Sequence, residues 1–554
     1  MNLARLKEGS WPVVLATLLC LLPFINKAFH IDDTLFLWVA RQIQERPFDF
    51  YGFYANWYGV VMPMAEINQN PPLVSYYIAL VTLLFGWQEW TLHLAFLVPA
   101  LGVTVGTFCL AREFTARPQL AAFAALATPV FLVSATSVMT DVMMVAFYVW
   151  AIVLWIWGLE RNRLAWLIAA SLLISLSALT KYYGLTAIPL LLLYTLLRLK
   201  RFDRRLAVVL LLALPALLIL GYQQLTVAMY GRDLLSAAAS YSTKMASRGW
   251  SNLLDQSLVG LAFTGGCVAS VFFFAPLLWA RRTWLVAGGI LLVGVLGLLL
   301  VKGGIFKLEL VTDGKVRWLT ILQAVLFIVA GLHLLILAGI ELYQRRDAVS
   351  VMLFCWIAGT FGFSTFVNWT VNGRTILPMI PAIAILVARR LDAHATAARE
   401  RAVDWLPLFP ALLLGLVVTW GDFALANTQR QAAAAICQEL RPSGGMIWFQ
   451  GHWGFQYYME QAGARAVNVK APTMQPGDFL VLPENNVNIY SPDYYVPYFK
   501  VVVMKTYTFP ASRWIGTMQR PPTGAGFYAA NIGPLPYLFG PNPNENYWLL
   551  RRIN

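Results

Sequence analysis

The chain is expected to fold as an all-α polytopic membrane domain of about thirteen transmembrane helices, followed by a small extracytoplasmic α/β domain. Three observations carry that expectation. Of 554 residues, 59% are hydrophobic and 12% charged, with a mean hydropathy of +0.63, more apolar length than a soluble core absorbs. That length falls into runs of spanning size, separated by short Lys/Arg clusters. From about residue 427 the chain turns less apolar and rich in Gly, Pro, Tyr and Trp. The expected division is 1–425 for the membrane domain, with extracytoplasmic loops at 30–89 and 223–257, and 426–554 for the outer domain.

Taken in order, the apolar runs cover 11–29, 90–111, 118–137, 141–158, 164–180, 184–199, 205–222, 258–280, 284–301, 317–341, 349–370, 375–390 and 405–424. The first follows Arg5 and Lys7 as a signal peptide would, but no small-x-small cleavage site precedes the acids beyond it. It is read as an uncleaved span. The segment Pro71 to Gly86 is short and opens on Pro-Pro. If it crossed, every later basic cluster would fall on the wrong side. Laid on the outer surface or re-entrant, it lets Arg112/Arg117, Arg161/Arg163, Arg198 to Arg205, Arg281/Arg282, Arg345/Arg346 and Arg389 to Arg401 all face the cytoplasm. The N-terminus is then inside, the C-terminus outside, and the expected location a bacterial-type inner membrane.

The net charge of +14 is dispersed between spans, which argues against nucleic acid as a partner. Cys20, Cys109, Cys267 and Cys355 lie in apolar runs and Cys437 stands alone. They build neither a disulfide framework nor a metal spacing. In the outer domain, helices are expected at Ala432 to Leu440 and Tyr457 to Ala462, and strands at Gly445 to Phe449, Asp478 to Leu482 and Phe499 to Met504. No internal repeat is visible, which weakens an inverted-repeat transporter.

The same parity gathers charge on the outer face: Asp32, Asp33, Asp141, Lys181, Lys302, Lys307, Lys315 and Arg374. A chain that otherwise keeps Lys and Arg inside has a use for those outside, and holding an anion is the obvious one. Snorkelling at the interface is the plain alternative. Asp32-Asp33 follows the first span directly, where a helix cap is the competing reading. Asp141 opens a span on the same face, where the macrodipole alone would favour an acid. Two acids from separate loops at one boundary suit general-base work, one taking a proton while the other orients donors. Lys181, beside Tyr182, Tyr183 and Gly184, suits a lipid phosphate or a turn. Arg374, in Asn372-Gly373-Arg374-Thr375, suits a phosphate held in fork geometry. The stretch Met229 to Asp255, with Lys244 and Arg248, reads as an amphipathic surface segment able to order around an anionic headgroup.

These residues resemble the GT-C superfamily of polyprenyl-phosphate-sugar glycosyltransferases, in particular bacterial members of the protein O-mannosyltransferase and lipid A aminoarabinose transferase type. The likeness rests on Asp32-Asp33-Thr34 after span one, Asn70-Pro71-Pro72-Leu73-Val74-Ser75-Tyr76-Tyr77, Thr140-Asp141, Leu179-Thr180-Lys181, and Arg374 with Leu377-Pro378 and Pro381. It covers about residues 10–400. The sequence departs from the aminoarabinose transferases at Asn70, where they have a lysine. The resemblance implies a polyprenyl-phosphate-linked sugar as donor, a glycan, lipid or protein as acceptor, and membrane lipid around both. It makes Asp32 the general base, with inversion at the anomeric carbon, and Asp33 and Asp141 the orienting acids. Lys181, Arg374, Asn70, Tyr76, Lys244, Arg248 and Lys302 would serve the phosphate or substrate. No cofactor is required; a divalent metal is conceivable, but no residue pattern indicates one. The rival readings are a polytopic lipid or solute transporter, an oligosaccharyltransferase or glycan polymerase of the same superfamily, and a carbohydrate-binding outer domain on a membrane anchor.

Overall fold

The computed structural model describes residues 3–199, 208–249, 252–312, 314–394, 402–495, 498 and 500–553. Among the described residues, seven helices are long and apolar enough to cross a membrane, or nine if two bent pairs each count as one span. Shorter apolar helices stand at Gly9–Phe24, Leu73–Phe85, Leu164–Thr180 and Tyr182–Arg198. The protein is therefore a multi-pass membrane protein, while the expected count of about thirteen is not reached by helix length alone. Proline explains one bend: Pro118–Leu126 and Pro129–Ala135 meet at 66°. Pro129 cannot continue the ladder, and Thr128 caps the new helix by accepting from the Phe131 amide.

Helices pack closely where side chains are small. Leu253–Cys267 crosses Trp318–Arg345 so tightly that a Cβ on Gly265 would fall 1.8 Å from the Phe327 carbonyl oxygen, the backbone approach small residues permit inside membranes. The segment expected to stay on the surface is the 13-residue helix Leu73–Phe85. At 1.5 Å per residue it is too short to cross a bilayer. It packs on the loop helix Asp33–Glu45.

The C-terminal region holds a five-stranded mixed sheet in the order Val501–Phe509, Glu545–Arg552, Phe479–Pro483, Ile447–Phe449, Arg465–Ala466. The first two contacts are antiparallel and the last two parallel. Alternation along the strands gives the sheet two apolar faces. Val481 and Leu549 pack with Ile436 and Phe455 on one side. Leu480, Leu482 and Leu550 pack with Val467 and Tyr495 on the other. The strand Glu545–Arg552 lies outside the sequence expectation.

The expected division at 425/426 falls inside one helix, Leu408–Leu440, which runs unbroken from the membrane helices into the C-terminal region. The chain also returns. Ile515, Met518, Phe527, Tyr528, Tyr537 and Leu538 are buried in the same core as the membrane helices. Tyr537 donates to the Gly266 carbonyl at 3.0 Å, and the Gln323 side chain bonds both the amide and the carbonyl of Phe539, each at 2.7 Å.

Candidate active site

Asp32 sits at the start of the helix Asp33–Glu45 but makes no capping hydrogen bond with its side chain. The residue before it, Ile31, is held at φ 48°, a left-handed conformation that a β-branched residue adopts only under constraint from its surroundings. Those surroundings come from the far end of the chain. The Ala28 amide donates to Asn427 Oδ1 and the Phe29 amide to the Tyr458 hydroxyl. The Thr34 hydroxyl donates to the Trp453 carbonyl.

Asp33 is fully buried. Its two oxygens accept from the amides of His30, at 2.8 Å, and Val138, at 2.9 Å. Burial pushes its carboxyl up to about 7 against those bonds. Asp33 thus ties the Asp32 loop to the loop before Asp141, leaving Asp32 as the acid of the pair that faces outward.

Asp32 Oδ2 meets Arg374 Nη2 at 2.8 Å. Arg374 Nη1 lies 4.0 Å from Asp141 Oδ2, and Lys181 Nζ donates to Asp141 Oδ1 at 2.6 Å. Four groups singled out in the sequence therefore stand in one chain of alternating sign. Arg374 is positioned by its own loop: Asn372 Oδ1 accepts from the Thr375 amide. The Gly373 amide donates to the Phe527 carbonyl at 2.7 Å, and the Ala530 amide to the Val371 carbonyl. A Cβ on Gly373 would press 2.8 Å from the Phe527 ring, so this close approach requires glycine.

The cluster is incompletely satisfied. Arg374 Nε and Asp141 Oδ2 are buried with no hydrogen-bond partner, an arrangement that costs free energy unless something else completes it. Asp32 is 28% exposed and Lys181 23%. Burial holds the Tyr58 hydroxyl well above its ordinary range, with Tyr241 and the Asp32 charge adding to the effect. Among the described residues, no three His, Cys, Asp or Glu side chains gather as a metal site.

Lys302, Asn70 and Tyr76 are engaged elsewhere. Lys302 pairs with Asp255 at 2.9 Å and so belongs to a separate contact between helices. Asn70 spends its backbone and side-chain N–H groups on Asn68 Oδ1, and its carbonyl accepts from Tyr51. The Tyr76 hydroxyl donates to the Pro47 carbonyl. Lys244 is exposed on the helix Leu234–Gly249. The Arg248 side chain lies outside the described residues.

Several residues of this neighbourhood escape sequence reading. Lys27 and Asp422, both fully buried, pair at 2.6 Å. Asp422 also accepts from Thr517 at 3.0 Å and from Tyr528 at 2.8 Å, with His30 Nε2 3.8 Å away. The Arg374 guanidinium lies 5.6 Å from the centre of the Tyr528 ring. One tyrosine from the returning segment thus touches both the buried pair and the cation of the outward cluster. The sequence signal was slight: a lone Lys at the end of one apolar run and a lone Asp just inside another.

Comparison with known proteins follows the same lines. Residues 69–222 match the family model of dolichyl-phosphate-mannose-protein mannosyltransferases; no curated protein matches the chain. Among solved structures, the Archaeoglobus fulgidus oligosaccharyltransferase AglB, in complex with an inhibitory peptide and a dolichol-phosphate, is 14% identical. The match covers 83% of this chain and 64% of that one, with a TM-score of 0.48. ArnT from Cupriavidus metallidurans, bound to undecaprenyl phosphate, is 16% identical over 91% of this chain and 96% of its own, with a TM-score of 0.46. The chain thus spans less than two thirds of the length of the oligosaccharyltransferase. As to class, the likeness read from the motifs is found again: residues 69–222, which hold Tyr76, Asp141 and Lys181, carry the pattern of a glycosyltransferase family.

Proposed function

We propose that this protein is a membrane glycosyltransferase that moves a sugar from a polyprenyl-phosphate donor to an acceptor hydroxyl on the extracytoplasmic side. The observation that supports it best is the unfilled cluster of Asp32, Arg374, Asp141 and Lys181. The basic loops at the far ends of the helices support the orientation, with the outer region away from the cytoplasm.

In this reading Arg374 and Lys181 receive the donor phosphate. A guanidinium that holds a carboxylate in its fork can hold a phosphate in the same way. The incoming phosphate displaces Asp32 from Arg374, and a carboxylate released from its cation is a better base. Asp32 then takes the proton from the acceptor hydroxyl as its oxygen bonds to the anomeric carbon. The bond from that carbon to the phosphate oxygen breaks, and the polyprenyl phosphate leaves with its charge held by Arg374 and Lys181. A single displacement of this kind inverts the anomeric centre. Asp141 fixes Lys181, and Asp33 fixes the loop. The reading calls for no resident metal.

Asp32→Asn keeps the size of the side chain and removes the base. Transfer from a radiolabelled polyprenyl-phosphate sugar in membranes is expected to fall by about 10²–10⁴-fold, with the melting temperature nearly unchanged. Undiminished transfer would reject Asp32 as the base.

A further inference from the structure

A second feature of the outer face has no part in that chemistry. The helix Asp33–Glu45 carries Trp38, Arg41, Gln42 and Glu45 at spacings of three, one and three, one face of a helix. That face forms a wall of a cavity of about 350 Å³. The opposite walls are Tyr54, from the hairpin of Tyr54–Asn56 with Val61–Pro63, and Glu460, from the helix Trp453–Gln461. The cavity is therefore built jointly by the loop after the first span and the outer domain. A second cavity of similar size, beside Arg317 and Trp318, has its guanidinium already bonded to the Glu309 and Pro522 carbonyls and carries no comparable set.

We infer that the cleft between Trp38, Tyr54 and Glu460 is a carbohydrate subsite, which holds the sugar chain of a glycan acceptor alongside the helix that begins next to Asp32. Its lining suits pyranose rings. Tyr54 is 71% exposed and offers a ring face to sugar C–H groups, while Trp38 stands edge-on against Trp57 at 5.8 Å. Of the planar polar groups between these rings, Gln42 already donates to the Asp49 carbonyl at 2.9 Å, while Arg41 and Glu45 can bond neighbouring hydroxyls as paired donors and acceptors. Arg41 and Glu460 are held in place before any ligand arrives. Arg41 is sandwiched 4.9 Å from the Trp87 ring and 5.9 Å from that of Tyr457, and Gln456 donates to Glu460 Oε1 at 2.9 Å.

Glu45 already balances the one guanidinium, and the Glu460 carboxyl, which burial pushes up to about 7, adds further negative charge as it ionises, so the lining disfavours a phosphate or nucleotide. The polar lining disfavours an acyl chain, and the volume lies at the small end of ligand sites. Trp38 and Glu45 follow Asp32 by about 9 and 20 Å along the helix axis, at 1.5 Å per residue. At about 100° per residue that face lies on the far side of the helix from Asp32, so a bound chain has to cross the helix start to bring a terminal hydroxyl to the base. The role as acceptor site rests on the glycosyltransferase reading; affinity for carbohydrate does not.

The test uses purified full-length Asp32→Asn protein in detergent, so that no turnover intervenes. Saturation-transfer NMR is recorded with mannotriose and with the trimer of N-acetylglucosamine, and with the tripeptide Ala-Ser-Ala as the competing occupant. The expected result is transfer to ring C–H protons of at least one trisaccharide. Its affinity should be about tenfold lower in Tyr54→Ala, and again in Glu45→Gln, an exposed site whose exchange leaves the fold intact; tenfold corresponds to about 1.4 kcal/mol. Absence of transfer to both sugars, an affinity unchanged by both substitutions, or saturation of the tripeptide alone would overturn the assignment. Sugar binding in a protein whose wild type transfers nothing would reject the enzyme reading and keep the cleft.

Discussion

The two ends of the stretch 373–394 carry charge clusters that look alike in sequence and differ in physical state. At the far end Arg389 bonds Glu341 at 3.0 Å and Asp347 at 2.9 Å. Arg345 and Arg390 close on the same Glu341, which is only 1% exposed. Nearby, Arg117 pairs with Asp392 and Asp404. Every carboxylate here has its cation, although Glu341 Oε2 accepts no hydrogen bond and meets Arg390 only at 3.6 Å, and the result ties helix ends together. At the near end, Arg374 reaches Asp32 firmly and Asp141 only at 4.0 Å, and buried polar atoms are left without partners. A buried charge cluster that is closed holds a fold in one arrangement. One left open at Asp32 and Lys181, which are 28% and 23% exposed, can meet something that comes and goes.

Breaking the closed cluster should give the largest loss of stability. Glu341→Ala leaves the buried guanidinium groups of Arg389 and Arg390, and the exposed one of Arg345, short of a partner, and the expected cost is about 3–5 kcal/mol. Thermal unfolding in detergent should show it, while the protein that remains folded at low temperature transfers sugar at the normal rate. A variant as stable as wild type but inactive would reverse the assignment of the two ends.

A smaller effect is expected at the residue that links the open cluster to the buried pair. Tyr528→Phe keeps the ring over Arg374 but removes the hydrogen bond to Asp422, worth about 1.5–3 kcal/mol for a charged acceptor. Transfer should drop several-fold, with the larger change in apparent donor affinity, since Arg374 is the group displaced. Unchanged donor affinity would separate the outer domain from the site.

The smallest effect concerns pH. Burial raises the Glu545 carboxyl to about 7, with Asn485 and Gln519 opposing. The native state therefore holds a proton that the unfolded chain, titrating near 4.5, gives up. Stability from this group is present below the unfolded value and lost as pH rises from about 4.5 to 7. Glu545→Gln should differ little from wild type at pH 5 and melt higher at pH 8. A difference in melting temperature independent of pH would remove Glu545 as the cause.

The multi-pass character is legible in composition, because bilayer thickness and the cost of stranded charge act directly on sequence. Asp32, Asp141, Lys181 and Arg374 can be singled out for the same reason: each is a charge where apolar residues are the rule. The partners of Lys302 and the pair of Lys27 with Asp422 cannot be found this way. The latter joins residues 395 positions apart, and neither carries a local pattern. Tyr528 is hidden further, in a polar region that reads as a separate domain yet folds back against the Arg374 loop. The helix Leu408–Leu440 misleads in the same direction, since the change in composition near 427 marks where it leaves the apolar layer and not where it ends.

The central claim is that Arg374 and Lys181 hold a lipid phosphate which Asp32 gives way to. Native mass spectrometry of protein extracted from polyprenol-containing membranes measures this directly. Polyprenyl phosphate should remain bound to wild type and to Asp32→Asn, and be lost from the Arg374→Ala, Lys181→Ala double variant. Equal retention by the folded double variant would contradict the account.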